Sequence, residues 1–214
     1  MPKPADLSKI SNCVETRKKY ILGLGHPRTG TRFTSKILKK WGLDVDHERF
    51  GDDGIVAWQL IKEQGPYPYT IQVGCRPNFD FLIYNVRNPY YSIPSIVYTE
   101  DNKEKSFDYR KKILGLSDSD NPIENAILSL CLYDLKVVEM NPDVTFRVED
   151  EQLKLFESLS KNGISAKFSV HDKKENTRKH KNFDEMIEQF AEVSEDVKKL
   201  INKFSEKYGY EKVF

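Results

Sequence analysis

The chain has 214 residues, with 34 Lys and Arg against 33 Asp and Glu, for a formal net charge of +1. That length suits one domain with a substantial core, and a content of 38% hydrophobic and 12% aromatic residues excludes a disordered chain. The balanced charge excludes a global basic field, so no nucleic-acid partner is expected, and no apolar run approaches the roughly 20 residues of a membrane segment.

Cys13, Cys75 and Cys131 form no CxxC pair, which reads as reduced thiols in a cytoplasmic protein. The histidines His26, His47, His171 and His180 lack metal-ligand spacing, so no metal is expected. The N-terminus is polar and carries no signal-peptide core.

In chain order, Tyr20 to Leu24 (YILGL) is a short apolar run suited to a buried parallel strand, and it ends in a Gly- and Pro-rich turn, Gly25 to Gly30. A helix follows from about Gly30, with Phe33, Ile37, Leu38 and Trp41 at helical spacing and Gly42 as its stop. Asp53-Gly54 then leads into an expected second helix, with Ile55, Trp58 and Ile61 on one stripe and Gly65-Pro66 at its end. Phe81 to Val86 (FLIYNV) is a second buried strand, followed by Arg87-Asn88-Pro89. The charged stretch from Asp101 to Asp120 reads as an exposed excursion or lid.

Asn121-Pro122-Ile123-Glu124 is a helix start, with Asn at the N-cap, Pro in the first turn and Glu closing a capping box. Val144 to Val148 reads as a third strand, Glu151 to Leu159 as a helix, and Val193 to Tyr208 as a last amphipathic helix. Strands alternating with helices argue for an α/β fold with a parallel sheet, and no linker divides residues 1–214 into separate domains.

The near-zero net charge hides a local field. Between Thr16 and Leu43 there are eight Lys or Arg and no acid, whereas Asp44 to Gly54 holds five acids and one Arg. Lys36, Lys39 and Lys40 are accounted for as a solvated helix face. Arg28 and Arg32 flank the glycine turn, where backbone amides at a helix N-terminus make an anion site.

Gly25 to Arg32 matches the glycine spacing of the nucleotide-binding pattern GxxxxGK[ST], but Thr31 stands at the lysine position and Arg32 at that of the magnesium-binding hydroxyl. The departure points away from ATP hydrolysis, towards a donor whose transferred group carries fewer charges.

The segment Pro27-Arg28-Thr29-Gly30-Thr31 resembles the 5′-phosphosulfate loop of PAPS-dependent sulfotransferases (PAPS is 3′-phosphoadenosine-5′-phosphosulfate). Val86-Arg87-Asn88-Pro89 with Ser95 resembles that family's 3′-phosphate element, in which a strand-ending Arg and a Ser eight residues later bind the phosphate. Phe146 to Asp150 (FRVED) and Tyr208-Gly209-Tyr210 resemble two further landmarks, so the likeness runs from about Tyr20 to Tyr210.

The resemblance implies a P-loop NTPase-like three-layer sandwich with a central, mostly parallel sheet flanked by helices. It implies a sulfotransferase that moves a sulfuryl group from PAPS to an acceptor hydroxyl or amine and releases PAP, without a metal. By position, Arg28 would stabilise the leaving phosphate, Thr29, Gly30, Thr31 and Arg32 would hold the 5′-phosphosulfate, and Arg87 and Ser95 the 3′-phosphate. Arg178, in the basic loop that starts near Lys167, would cover the donor.

In-line transfer needs a base behind the acceptor oxygen. The family's use of Glu or His as base makes Glu48 the expected base, with His47 second. Trp58, Tyr90, Tyr91 and Tyr98 are candidates for an acceptor pocket or for core. Carbohydrate, lipid, small phenol and protein tyrosine are all compatible acceptors, as loops set that choice. Two other readings stand beside this one: a small-molecule kinase with a degenerate P-loop, and a non-catalytic nucleotide-binding module.

Overall fold

The computed structural model describes residues 20–63, 65, 67, 78–99, 105–117, 119–171 and 182–214. A five-stranded parallel sheet forms its centre: β1 (Ile21–Leu24), β2 (Val45–His47), β3 (Gly54–Val56), β4 (Phe81–Val86) and β5 (Val144–Arg147), in the order β2-β3-β1-β4-β5. Among the described residues seven α-helices accompany it: α1 (Thr31–Lys40), α2 (Pro89–Thr99), α3 (Lys105–Leu114), α4 (Pro122–Glu139), α5 (Gln152–Lys161), α6 (Ile187–Ala191) and α7 (Glu195–Lys207).

The two faces of the sheet carry separate apolar cores. Ile21, Phe81, Ile83, Val144 and Phe146 meet Ile37, Leu38 and Trp41 of the α1 segment and Leu155 and Leu159 of α5 on one face. Leu22, Leu24, Ile55, Tyr84 and Val86 meet residues of α2, α4 and α7 on the other. Burial on both faces is what a parallel sheet requires, and it explains why the strands read as continuous apolar runs instead of alternating ones. The result is a three-layer α/β arrangement.

Two expectations are corrected. Gly54 to Ile61 is not a helix. Gly54, Ile55 and Val56 form a strand buried between β1 and β2, and only Trp58–Ile61 winds, as a short 3₁₀ turn. The apolar spacing that suggests a helical stripe instead reflects a strand buried on both sides, followed by one tight turn. The stretch from Asp101 to Asp120 is not simply an exposed excursion: within it α3 buries Phe107, Leu114 and the whole of Arg110.

The start of α4 is read well, with one change. Asn121 caps the helix by accepting from the amides of Ile123 (2.9 Å) and Glu124 (3.4 Å). Glu124 does not close the box, because its carboxylate accepts from the Ser119 hydroxyl and the Ser194 amide, and Ser119 takes the Asn121 amide.

Candidate functional site

In a wholly parallel sheet every strand ends on the same edge, so the segments that follow β1, β2, β3 and β4 emerge together. The chain leaves β1 towards β2 through α1 on one face, and passes from β4 to β5 through helices packed on the other. The crevice opened where connections diverge to opposite faces is where ligands of open α/β sheets bind. Here it is an open cleft with a cavity volume of about 110 Å³.

The loop after β1 forms the floor. The amide and hydroxyl of Thr29 both donate to the His26 carbonyl (3.0 and 2.6 Å), closing a tight turn. Asn85 of β4 donates its side-chain amide to the Thr29 carbonyl (2.9 Å) and hydroxyl (3.1 Å). Gly25 permits this approach, since a Cβ there would lie 2.3 Å from Asn85 Nδ2. Gly30 then caps α1 at φ +99°, and a Cβ on it would stand 2.9 Å from Val148 Cγ1. No side chain caps α1, so the amides of its first turn border the cleft with the positive end of the helix dipole.

Arg28, Arg32 and Arg87 line the same cleft, and among the described residues that line it they face the carboxylate of Glu48. Arg28 holds φ +76°; its Nε donates to Ser95 Oγ (3.0 Å), and its carbonyl accepts from Arg87 Nη1 (3.1 Å). Arg87 also lies over the ring of Tyr91, at 5.9 Å. Burial lowers the Arg87 pKa from its ordinary value, against the opposing pull of Glu149, and a guanidinium stays charged regardless.

His47 ends β2 and Glu48 follows it, on the opposite wall. His47 Nε2 is hydrogen-bonded to the Thr31 hydroxyl (3.1 Å). Burial holds the His47 pKa below 6.5, against the nearby Glu48 carboxylate, so the ring is neutral at pH 7. Glu48 takes φ +55°, and its Oε1 accepts from Trp58 Nε1 (3.0 Å) and Gln59 Nε2 (3.1 Å).

Among the described residues three that are not glycine have positive φ: Arg28, Glu48 and Asn141. Two of them face one another's cleft. Such a conformation costs on the order of 1 kcal/mol or more per residue, so the surrounding fold is holding both side chains where they are.

The structure thus gathers Arg28, Gly30, Thr31, Arg32, Arg87, His47 and Glu48 around one cavity. Thr29 is turned away, its side chain buried in the turn it closes. Ser95 is buried on α2 and reaches the site through Arg28. Arg178 lies outside the described residues. Trp58 is both core and site, being 3% exposed while it holds Glu48. Tyr90 stacks on Phe183 at 4.7 Å, away from the cleft lining, and Tyr98 is exposed.

Asn85, Gln59 and the pair His26 and Ser129 support the site without being apparent as site residues in the sequence. Asn85 left a signal, as the one amide in the apolar run FLIYNV. His26 is fully buried, with Nδ1 against the Pro27 carbonyl (2.7 Å) and Nε2 against Ser129 Oγ (2.8 Å). Burial holds its pKa well below 6.5, so it serves as a neutral strut under the loop.

Part of the basic block is balanced locally: Asp46, which also accepts from Arg49 of its own acidic stretch (2.9 Å), accepts from Lys39, and Lys40 donates to the Val170 carbonyl (2.7 Å). No helix among the described residues is long and apolar enough to cross a membrane. Among the described residues no group of three or more His, Cys, Asp or Glu side chains is placed to hold a metal. Comparison with family models, curated proteins and solved structures found no match to this chain.

Proposed function

We propose that the chain is a P-loop-type sulfotransferase that moves a sulfuryl group from PAPS to an acceptor hydroxyl or amine. The observation that carries this reading is the pairing of two strained residues, Arg28 and Glu48, on one cleft whose floor is a helix N-terminus and whose walls add Arg32 and Arg87. An anion would enter a site with a strong positive bias, opposite the Glu48 carboxylate, which can take a proton.

The donor fits the donor set. The amides of the first turn of α1, the Thr31 hydroxyl and Arg32 would hold its phosphosulfate end, and Arg87 its 3′-phosphate. Arg28 would offset the charge that develops on the leaving phosphate. Glu48 would accept the acceptor's proton as the acceptor oxygen bonds to sulfur and the bond from sulfur to the phosphate oxygen breaks, the electron pair leaving with PAP. Two N–H donors fix the Glu48 carboxylate, so its direction is set before the acceptor arrives. His47, neutral and bound to Thr31, is placed to orient that hydroxyl towards the donor.

The test is transfer of labelled sulfate from PAPS to a panel of phenols, sugars, lipids and tyrosyl peptides. Incorporation into one class that vanishes in Arg28→Ala supports the reading. A protein that binds PAP yet labels nothing, with Arg28→Ala binding equally well, would reduce it to a nucleotide-binding module.

A further inference from the structure

The guanidinium of Arg110 plays no part in the transfer chemistry, yet it is buried completely, on α3, directly behind the cleft. Its central carbon lies 5.5 Å from the centre of the Trp58 ring and 5.7 Å from that of Phe107. Its Nε donates to Ser129 Oγ (3.2 Å).

The contacts with Trp58 and Ser129 each lead to one wall of the cleft. On one side, the ring that Arg110 covers is the one whose Nε1 donates to Glu48 Oε1 (3.0 Å). On the other, Ser129 Oγ meets His26 Nε2 (2.8 Å), and His26 Nδ1 meets the carbonyl of Pro27 (2.7 Å), the first residue of the loop to line the cleft. The Tyr133 hydroxyl, one helical turn after Ser129, donates to the Trp58 carbonyl (3.0 Å) and ties the two routes together. Removing a guanidinium from water costs several kcal/mol, and apolar side chains of similar volume often fill such a place at no loss of stability. A planar, always-charged group that lies against two rings while donating sideways to a hydroxyl therefore contributes geometry more than it contributes stability.

We propose that Arg110 is a positioning residue, which fixes the carboxylate of Glu48 through Trp58 and the anion-binding loop through Ser129 and His26, so that base and donor stay in register. The turnover part of this inference rests on the sulfuryl-transfer reading; the positioning part does not.

The experiment compares Arg110→Met and Arg110→Lys in a Trp41→Phe background, in which Trp58 is the single tryptophan. Three readouts are taken: the urea midpoint, the emission maximum and acrylamide quenching of Trp58, and the split of kcat from KM for PAPS. Arg110→Met is expected to keep its urea midpoint, to expose Trp58 to quencher, and to lose about 10-fold in kcat with KM within about twofold, the size of a modest misplacement. Arg110→Lys keeps the charge but not the planar fork, and is expected to show the same Trp58 change with a smaller loss of kcat.

Wild-type Trp58 quenching and kcat in whichever variant folds would overturn the proposal, and a fall in kcat that only tracks a lower urea midpoint would do the same. If the parent protein transfers no sulfuryl group at all, the functional reading fails, and the Trp58 signal of the two variants still decides the role of Arg110.

Discussion

Glu48→Gln exchanges one carboxylate oxygen for an amide in a side chain of nearly the same shape. In the folded protein Oε1 accepts from Trp58 Nε1 at 3.0 Å and Gln59 Nε2 at 3.1 Å, and the glutamine carbonyl is able to accept both. Hydrogen bonds to a charged acceptor exceed neutral ones by about 1 kcal/mol each, so the variant loses at most about 2 kcal/mol of stability and keeps its backbone conformation. The three guanidinium groups of the cleft then lose the opposing charge of Glu48, with Glu149 still acting on Arg87, so PAP is expected to bind as well as to the parent or a few-fold tighter.

Proton acceptance is what disappears. General base catalysis is worth roughly 100-fold or more, about 2.7 kcal/mol, so kcat is expected to fall by at least that factor. The assay pairs labelled sulfate transfer with a calorimetric PAP titration on the same preparation. Turnover within about threefold of the parent would remove Glu48 from the role of base and leave His47 to be tested in its place.

Arg87→Met keeps length and loses the charge, and is expected to weaken PAP binding about 10- to 100-fold by titration, the worth of a charge-assisted pair. Unchanged PAP affinity would remove Arg87 from the phosphate site. Gly30→Ala, at φ +99° with Val148 2.9 Å from the new Cβ, is expected to cost about 2 kcal/mol in urea unfolding and to weaken anion binding with it; a neutral result would show that Val148 yields freely. His26 has a folded pKa well below 6.5, so the unfolded chain takes up the proton first as the pH falls. Its stabilising contribution is therefore complete above about pH 6.5 and declines below it, by up to about 1.4 kcal/mol per pH unit, with His47 acting in the same direction. Urea midpoints from pH 7.5 down to 5.5 are expected to fall less steeply in His26→Gln, and an identical slope would contradict the burial argument.

What the sequence made legible follows from where apolar patterning coincides with position in the sheet. YILGL and FLIYNV are buried on both faces in β1 and β4, the two central neighbours, and a continuous apolar run is the signature of such strands. The strands β2 and β3 have three residues each, too few for any period to register, and Val45-Asp46-His47 is not even apolar. Helix α3 hid for a different reason: its buried stripe, Ser106, Phe107, Arg110 and Leu114, includes an arginine, and the surrounding lysines and acids made the whole segment look solvated.

At the site, the loop arginines and Glu48 were readable because glycine spacing and charge clustering are local properties of the chain. The partners that aim them were not. Trp58 lies 10 residues from Glu48, Ser129 lies 103 from His26, and Arg110 lies 52 from Trp58 and 19 from Ser129, and only the fold brings them together. Backbone strain at Arg28 and Glu48 likewise leaves no trace in residue type, since neither arginine nor glutamate favours positive φ.

The most direct measurement is a calorimetric titration of the protein with PAP and, in parallel, with ATP and magnesium. PAP is expected to bind one-to-one, independently of magnesium, to bind more weakly to Arg87→Met, and to outcompete ATP. Binding of magnesium-ATP in the cleft with none of PAP would contradict that expectation, and would turn the same loop into the phosphate cradle of a kinase.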